Sequence, residues 1–316
     1  MKTYQLFSVR LRIAIAIAIV CTCLNIHLHA KEPYRIIAYN VENFFDAQHD
    51  SLKNDYDFTP YGKYRWTENR FYTKSEQIAR VICQAGQWNT ALLVGLCEVE
   101  NKTCLNRLQH ALKNYPYSFL HSESPDERGI DVALLYDSLR FNVLEWYPIP
   151  VELEDDYTRD LLYAKGLLPE GDTLHVIMCH LPSMRGGKHQ SEWKRQKAKQ
   201  LIRNTTDSIL LSQPEALIVV MGDMNSKPKN DIKGLVNRMT SQRRIGTHKW
   251  QGDWSCLDQF YLSPAMDKRA ETRIYFADYL LEEDGKHMGR RPMSTFRGYQ
   301  YNPNGYSDHL PILLDF

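Results

Sequence analysis

The sequence predicts an α/β fold with helices packed against a buried sheet, and three observations point to it. Runs rich in Ile, Val and Leu recur along the chain, amphipathic helical patterns separate several of them, and polar residues stand at their ends. Several runs are apolar on both faces, as expected for a sheet covered by helices on one side and a second sheet on the other. No Pro/Ser/Gly-rich tract, low-complexity run or internal repeat interrupts residues 31–316, so one domain is expected there.

The first thirty residues read differently. Lys2, Arg10 and Arg12 precede an apolar run from Ile13 to Ile26, and the small residue Ala30 precedes a polar start. That is the layout of a secretory signal peptide. The run is shorter than the roughly 20 apolar residues of a spanning helix. Cleavage near Ala30 and export to the periplasm or the extracellular space are therefore expected, with no membrane span in the mature chain. Cys21 and Cys23 follow Val20 and Thr22, bulkier residues than lipoprotein processing usually accepts. Residues 1–30 carry three of the 39 Lys/Arg and none of the 38 Asp/Glu, which leaves 36 basic against 38 acidic residues, a formal charge of −2. A protein that grips long duplex DNA mainly through its phosphates has a strongly basic balance, so this composition argues against a high-affinity nonspecific DNA binder.

In chain order, strand signals run from Tyr34 to Val41, Ala91 to Val99, Asp131 to Tyr136, Thr173 to His180, Ala216 to Met221, Cys256 to Leu262 and Pro311 to Phe316. Helical patterns cover Lys74 to Gln87, Thr103 to Lys113 and His189 to Leu211. The third carries Lys194, Arg195, Lys197, Lys199 and Arg203, charges spread around a helix that needs a polar outer face. Five cysteines remain after residue 30, Cys83, Cys97, Cys104, Cys179 and Cys256. An odd count with no CxxC pair argues against a disulfide framework and a zinc site, and predicts small buried hydrophobes.

Chemistry-bearing residues cluster at strand tips. Val219 to Pro228 reads VVMGDMNSKP, a buried strand and tight turn that presents Asp223 and Asn225. A carboxylate so placed can take a proton from water while the amide holds the water or a phosphate oxygen, though an Asx-turn explains the pair alone. In YSDHLP, Asp308 and His309 point different ways and can serve one site in two roles. In LCEVE, Glu98 follows an apolar stretch where an unpaired carboxylate is costly, so a metal ion or an ion pair is expected beside it. His180 ends the strand VIMCH. AYNVENFFD supplies Asn40 and Glu42. SCLDQFYLS places Asp258 in an apolar strand, where a histidine is its natural partner.

Together, in this order, these segments resemble the endonuclease/exonuclease/phosphatase superfamily from Asn40 to Phe316, with GDMN at 222–225 and SDH at 307–309 the most specific. The resemblance implies a four-layer α/β/β/α sandwich with two packed mixed sheets in the middle. It implies a divalent-metal-dependent phosphoesterase, with Mg2+ or Mn2+ on the metal side of the site held by Asn40, Glu42, Glu98 and Asp308. It likewise implies that His180 contacts the phosphate and helps the leaving group, that Asp223 orients or deprotonates water, that Asn225 touches the phosphate, and that His309, partnered by Asp258, binds the scissile phosphate. Where many members place an Asn two residues after the strand-end His, this chain has Leu181-Pro182-Ser183, so the phosphate contact there comes from Ser183 or is missing. Arg185, in the basic loop MRGGK, and Arg128, before GIDVALLYD, are further candidates, and both equally suit solvated surface. A phosphodiester, including nucleic acid, is the favoured substrate; a phosphomonoester or a lipid headgroup is the alternative. No stable protein partner is implied, and a monomer is expected. A binding protein on a decayed scaffold would have lost some of Glu98, Asp223, Asn225, Asp308 or His309, and all are present.

Overall fold

Two parallel strand pairs organise the molecule, each joined by a helical crossover. The computed structural model describes residues 33–316 except 88–89, 155, 185–187 and 242–244. The expected signal peptide and Arg185 therefore lie outside the described residues.

Strand β1 (Arg35–Phe44) is followed by helix α1 (Glu68–Gly86), β2 (Leu93–Val99), α2 (Lys102–Ala111), β3 (Tyr117–His121), β4 (Asp131–Asp137), β5 (Asn142–Ile149), β6 (Leu161–Leu167) and β7 (Thr173–His180). Next come α3 (Lys188–Ser212), β8 (Leu217–Asp223), β9 (Val236–Asn237), the hairpin β10 (His248–Trp250) and β11 (Asp253–Ser255), β12 (Asp258–Leu262) and β13 (Glu271–Ile274). Two small ribbons, β14 (Leu281–Glu283) with β15 (Arg290–Pro292) and β16 (Phe296–Arg297) with β17 (Gln300–Tyr301), precede β18 (Ile312–Asp315).

One six-stranded sheet has the order β13-β18-β1-β2-β4-β3, the other β5-β6-β7-β8-β12-β9. In each, the only parallel pair is central, β1 with β2 and β7 with β8, and the flanking pairs are antiparallel. A parallel pair needs a long crossover, which α1 and α3 provide. α1 begins at the Thr67 cap, whose side chain accepts from Arg70 N.

The sheets face each other across small and flexible side chains. A Cβ on Gly95 of β2 would meet Met178 Sδ at 2.2 Å, so the glycine leaves the space that the ends of Met178 and Met221 fill. On the outer faces, Ile78 and Ile82 of α1 pack with Leu105 and Leu108 of α2 over the first sheet. Ala198 and Ile202 of α3 cover Ile177, Ile218 and Val220 of the second. These are the four layers expected. All described cysteines are free; Cys97, Cys104, Cys179 and Cys256 are buried and Cys83 is half-buried. No helix among the described residues is long and apolar enough to cross a membrane. Residues Arg35–Phe316 form one compact unit.

Candidate active site

Both parallel pairs end at the same place, because polar residues follow the apolar cores of β1, β2, β7 and β8. In the second sheet the register lines up three of them: His180 pairs with Asp223 across β7 and β8, and Asp223 with Asp258 across β8 and β12. The turn after Asp223 depends on Gly222, whose φ of 133° and closeness to Cys179 O leave no room for a side chain.

In the first sheet the ladder breaks where the function begins. Residues 41–43 of β1 lie opposite the single residue Glu98, because Asn40 pairs with Cys97 and Phe44 with Val99. Glu98 is also the extra residue against β4, with φ 67°, while Glu42 and Asn43 have φ 54° and 53°. Bulges re-aim side chains at such edges. A left-handed conformation costs a non-glycine residue about 1–3 kcal/mol, here offset in part by Asn43 N donating to Glu98 Oε2 at 2.8 Å.

Asp223 is the centre of the site. Its Oδ2 accepts from Asn40 Nδ2 at 3.1 Å and lies 3.7 Å from His180 Nε2 and 3.9 Å from His309 Nε2. Asn225 N donates to its Oδ1 at 2.8 Å. Glu98 Oε1 sits 3.4 Å from Asn40 Nδ2 and 4.0 Å from His180 Nε2. His309 Nδ1 donates to Asp258 Oδ2 at 2.7 Å. Ser307 links the sheets to this segment, its Oγ donating to Asn40 O and accepting from His309 N.

Burial sets the protonation states in opposite directions. It pushes Asp223 up to about 7, opposed by the His309 charge and reinforced by Asp258. Burial alone would lower His309, but the Asp258 carboxylate, its hydrogen bond, Asp308 and Asp223 together raise it well above the usual histidine range. His180 falls well below that range through burial, with Arg159, Arg128 and His309 adding to the effect. One histidine is thus held as a cation and the other neutral.

The remaining expected residues are placed as follows. Glu42 points away from Asn40 and accepts from Thr295 N at 2.6 Å and Phe296 N at 3.3 Å, bracing that loop. Asp308 faces Glu42, Lys74 and His248. Asn225 uses its Nδ2 on Leu181 O at 2.9 Å. Arg128 is partly exposed, 3.9 Å from Asp126, and its charge reaches His180. Ser183 is half-buried in the loop after His180. On α3, Arg195 and Lys199 do not belong to the outer face. They are buried and bonded to Pro182 O, Ser191 and Glu192, and to Asp231 and Ser226. With Lys227, Lys229, Glu192 and Asp231 they line a cavity of about 400 Å³ that also takes in Ser226 and Leu257, the chain neighbours of Asn225 and Asp258.

Three residues beside the candidate site carried no sequence signal. Arg159 is buried, pairs with Asp126 at 2.8 Å and donates to the carbonyls of His180 and Leu181. His248 packs against His309, the rings tilted by 41° with centroids 4.9 Å apart. Lys74 is fully buried and donates to Thr295 Oγ1 and Tyr306 O. Each lies in a polar stretch or on a helix face and reaches the site only through long-range packing.

The donor set suits a hard divalent cation. Glu98 and Asp308 both act on Lys74 and His248, and burial and Asp308 raise Glu42, so negative charge here is under-compensated. Two histidine-containing sets, His248/Asp308/His309 and Asp223/Asp258/His309, also bring ligand atoms within 4.8 Å of one another. A protonated His309 bound to Asp258 has no lone pair to give, which leaves the carboxylates as the better donors.

The family model described as "Endonuclease/Exonuclease/phosphatase family" matches residues 35–316. No curated protein matches the chain by sequence. Among solved structures, a truncated TDP2 from Caenorhabditis elegans superposes with TM-score 0.59 at 17% identity, covering 90% of this chain and 97% of that one. D. rerio TDP2 complexed with single strand DNA product gives 0.54 at 17%, with 90% and 98% covered. A mannosyl-6-phosphatase from Bacteroides thetaiotaomicron gives 0.55 at 14%, with 89% and 98% covered. At these identities the likeness is one of fold.

Proposed function

The chain belongs to the endonuclease/exonuclease/phosphatase family, and on that premise we propose that it is a divalent-metal-dependent phosphodiesterase acting on a nucleic acid or a related diester. The observation that carries this reading is Asp223 Oδ2, which stands among Asn40 Nδ2, His180 Nε2 and His309 Nε2 at 3.1, 3.7 and 3.9 Å. A carboxylate raised to about 7 beside a fixed imidazolium is a base next to an anion site.

In this reading Asp223 takes the proton of the attacking water. His309, kept charged by Asp258, faces the phosphoryl oxygens and stabilises the charge that grows on them. Neutral His180 donates a hydrogen bond from Nε2 to a phosphoryl or leaving oxygen, and Asn40 fixes the Asp223 carboxylate. Mg2+ or Mn2+ held by Glu98 and Asp308 supplies the charge neutralisation that lets a hydroxide approach an anionic ester. Trp250, 68% exposed on the hairpin that carries His248, offers a stacking surface for a base. A neighbour in fold, D. rerio TDP2, was solved with a single strand DNA product, which supports the same class of substrate.

A cavity whose lining includes Lys227 and Lys229, beside Lys199 and Arg195 that are paired with Asp231 and Glu192, favours a second reading, a compact phosphomonoester whose anionic group meets the two lysines. The B. thetaiotaomicron neighbour is a mannosyl-6-phosphatase. One assay separates the two: purified protein with bis(p-nitrophenyl) phosphate, single-stranded and plasmid DNA, and a hexose 6-phosphate, each with Mg2+, Mn2+ or EDTA. Cleavage of the diesters that stops in EDTA is expected. Turnover of the monoester alone would select the second reading, and full activity in EDTA would rule out the metal.

A further inference from the structure

At the edge of the first sheet, β3 ends on His121 and β4 begins on Asp131, joined by the loop 122–130. The His121 side chain is 0% exposed, yet neither ring nitrogen has a hydrogen-bond partner. Asp131 shows the same deficit at one oxygen. Its Oδ1 accepts from Ser124 N and Oγ, while Oδ2 is buried and unpartnered. Leaving such groups unpaired costs about 1–3 kcal/mol each, so a cluster of them calls for a missing partner.

The spacing says what that partner is. His121 Nε2 and Asp131 Oδ2 are 3.6 Å apart, too far for a hydrogen bond. Two atoms on one tetrahedral ion, each at ~2.1 Å, stand about 3.4 Å from each other. Glu123, with a side chain 56% exposed, has Oε1 4.0 Å from the other ring nitrogen, Nδ1, so its carboxylate must swing to reach an ion on Nε2. One ligand atom from each of the three residues lies within 4.8 Å of the others. Lys53 is the nearby cation, and its Nζ is engaged by the carbonyls of Ser124 and Asp126.

We propose that His121, Glu123 and Asp131 form a second cation site, for a borderline divalent ion of the Zn2+ class, with water as fourth ligand and Glu123 as the mobile arm that closes it. One imidazole and two carboxylates are a Zn2+ donor set. The site shares no residue with the catalytic cluster. Its effect is on the loop 122–130, which carries Arg128 and Asp126: an ion at its two ends fastens the loop that sets positive charge beside His180.

The test is a titration of the purified protein with Zn2+ alone, and with Co2+ read by its visible absorption, which reports tetrahedral nitrogen and oxygen ligation without any turnover. The wild type is expected to give the Co2+ band and to keep it in Glu98→Gln, which weakens the catalytic metal. His121→Gln should abolish the band, and Glu123→Gln, a change at an exposed side chain that leaves the core intact, should weaken the matching Zn2+ equivalent at least tenfold. A wild type without the band overturns the proposal. So does a band lost in Glu98→Gln, or Zn2+ affinity unchanged in Glu123→Gln. The hydrolysis assays have no bearing on these outcomes, so the two proposals fail separately.

Discussion

His309, in the segment that leads into β18, and Asp258 of β12 meet in a hydrogen bond of 2.7 Å between Nδ1 and Oδ2, with Asp258 fully buried at the first position of its strand. The bond fixes the ring so that Nε2 faces Asp223, and the carboxylate keeps the ring charged. Asp258→Asn preserves shape but removes that charge. kcat is expected to fall about 10²-fold or more, within the range of general acid–base effects, while the protein stays folded. A variant with unchanged kcat would show that His309 acts without its partner.

The pH profile follows from two opposite requirements. Asp223 works as a base only when ionised, and burial places its pKa at about 7. Activity therefore falls about tenfold per unit as the pH drops below that value. His309 works only when protonated, and its pKa lies well above 6.5, so its loss limits activity on the alkaline side. The expected profile is a bell with its acid limb near neutrality. Measuring kcat/KM from pH 5 to 10 checks it, and an activity still rising toward pH 5 would contradict the role of Asp223.

Lys74 gives a prediction about stability. Burial lowers its pKa and raises that of Glu42, and each charge opposes the shift of the other. Lys74→Met removes the donor to Thr295 Oγ1 and Tyr306 O and leaves the Glu42 charge less compensated. A loss of about 3 kcal/mol is expected in denaturant unfolding. Adding Glu42→Gln should recover part of it, and a double mutant no better than the single would sever the link.

The sequence exposed the site wherever an apolar run ends on a polar residue. Asn40, Glu98, His180 and Asp223 have that signature, because a buried strand cannot carry an unpaired polar group before its tip; Asp258 was legible as a carboxylate inside an apolar strand, where it needs a partner. His309 was legible through the adjacent terminal strand. Glu42 has the same flanks, but the bulge at residues 41–43 turns it toward the amides of Thr295 and Phe296, and bulges leave little trace in a hydrophobic pattern. The strand β5 escaped notice because it is an exposed edge with no alternation, and β6 because Lys165 and Gly166 interrupt it. Gly166 is needed there: a Cβ would stand 2.2 Å from Phe141 Cζ. Arg159 and His248 join the site from loops and hairpins, where only the folded register shows what they approach.

The last prediction separates the acid that holds the metal from the acid that handles water. Glu98 is part-exposed and re-aimed by a bulge, with Oε2 on Asn43 N. Glu98→Gln keeps that geometry but weakens a hard cation's hold, so part of the lost rate should return as Mg2+ or Mn2+ is raised. Asp223 is buried, with Asn40 and Asn225 bound to its two oxygens. Asp223→Asn removes a base that no concentration of metal replaces, and its deficit should persist at saturation. Both variants should fold, since each removes a charge at a strand tip and little volume. Metal titrations of the two, followed by initial rates on a diester, decide the matter. Equal recovery in both variants would mean that Asp223 also binds the ion, and no recovery in Glu98→Gln at normal metal affinity would remove Glu98 from the metal.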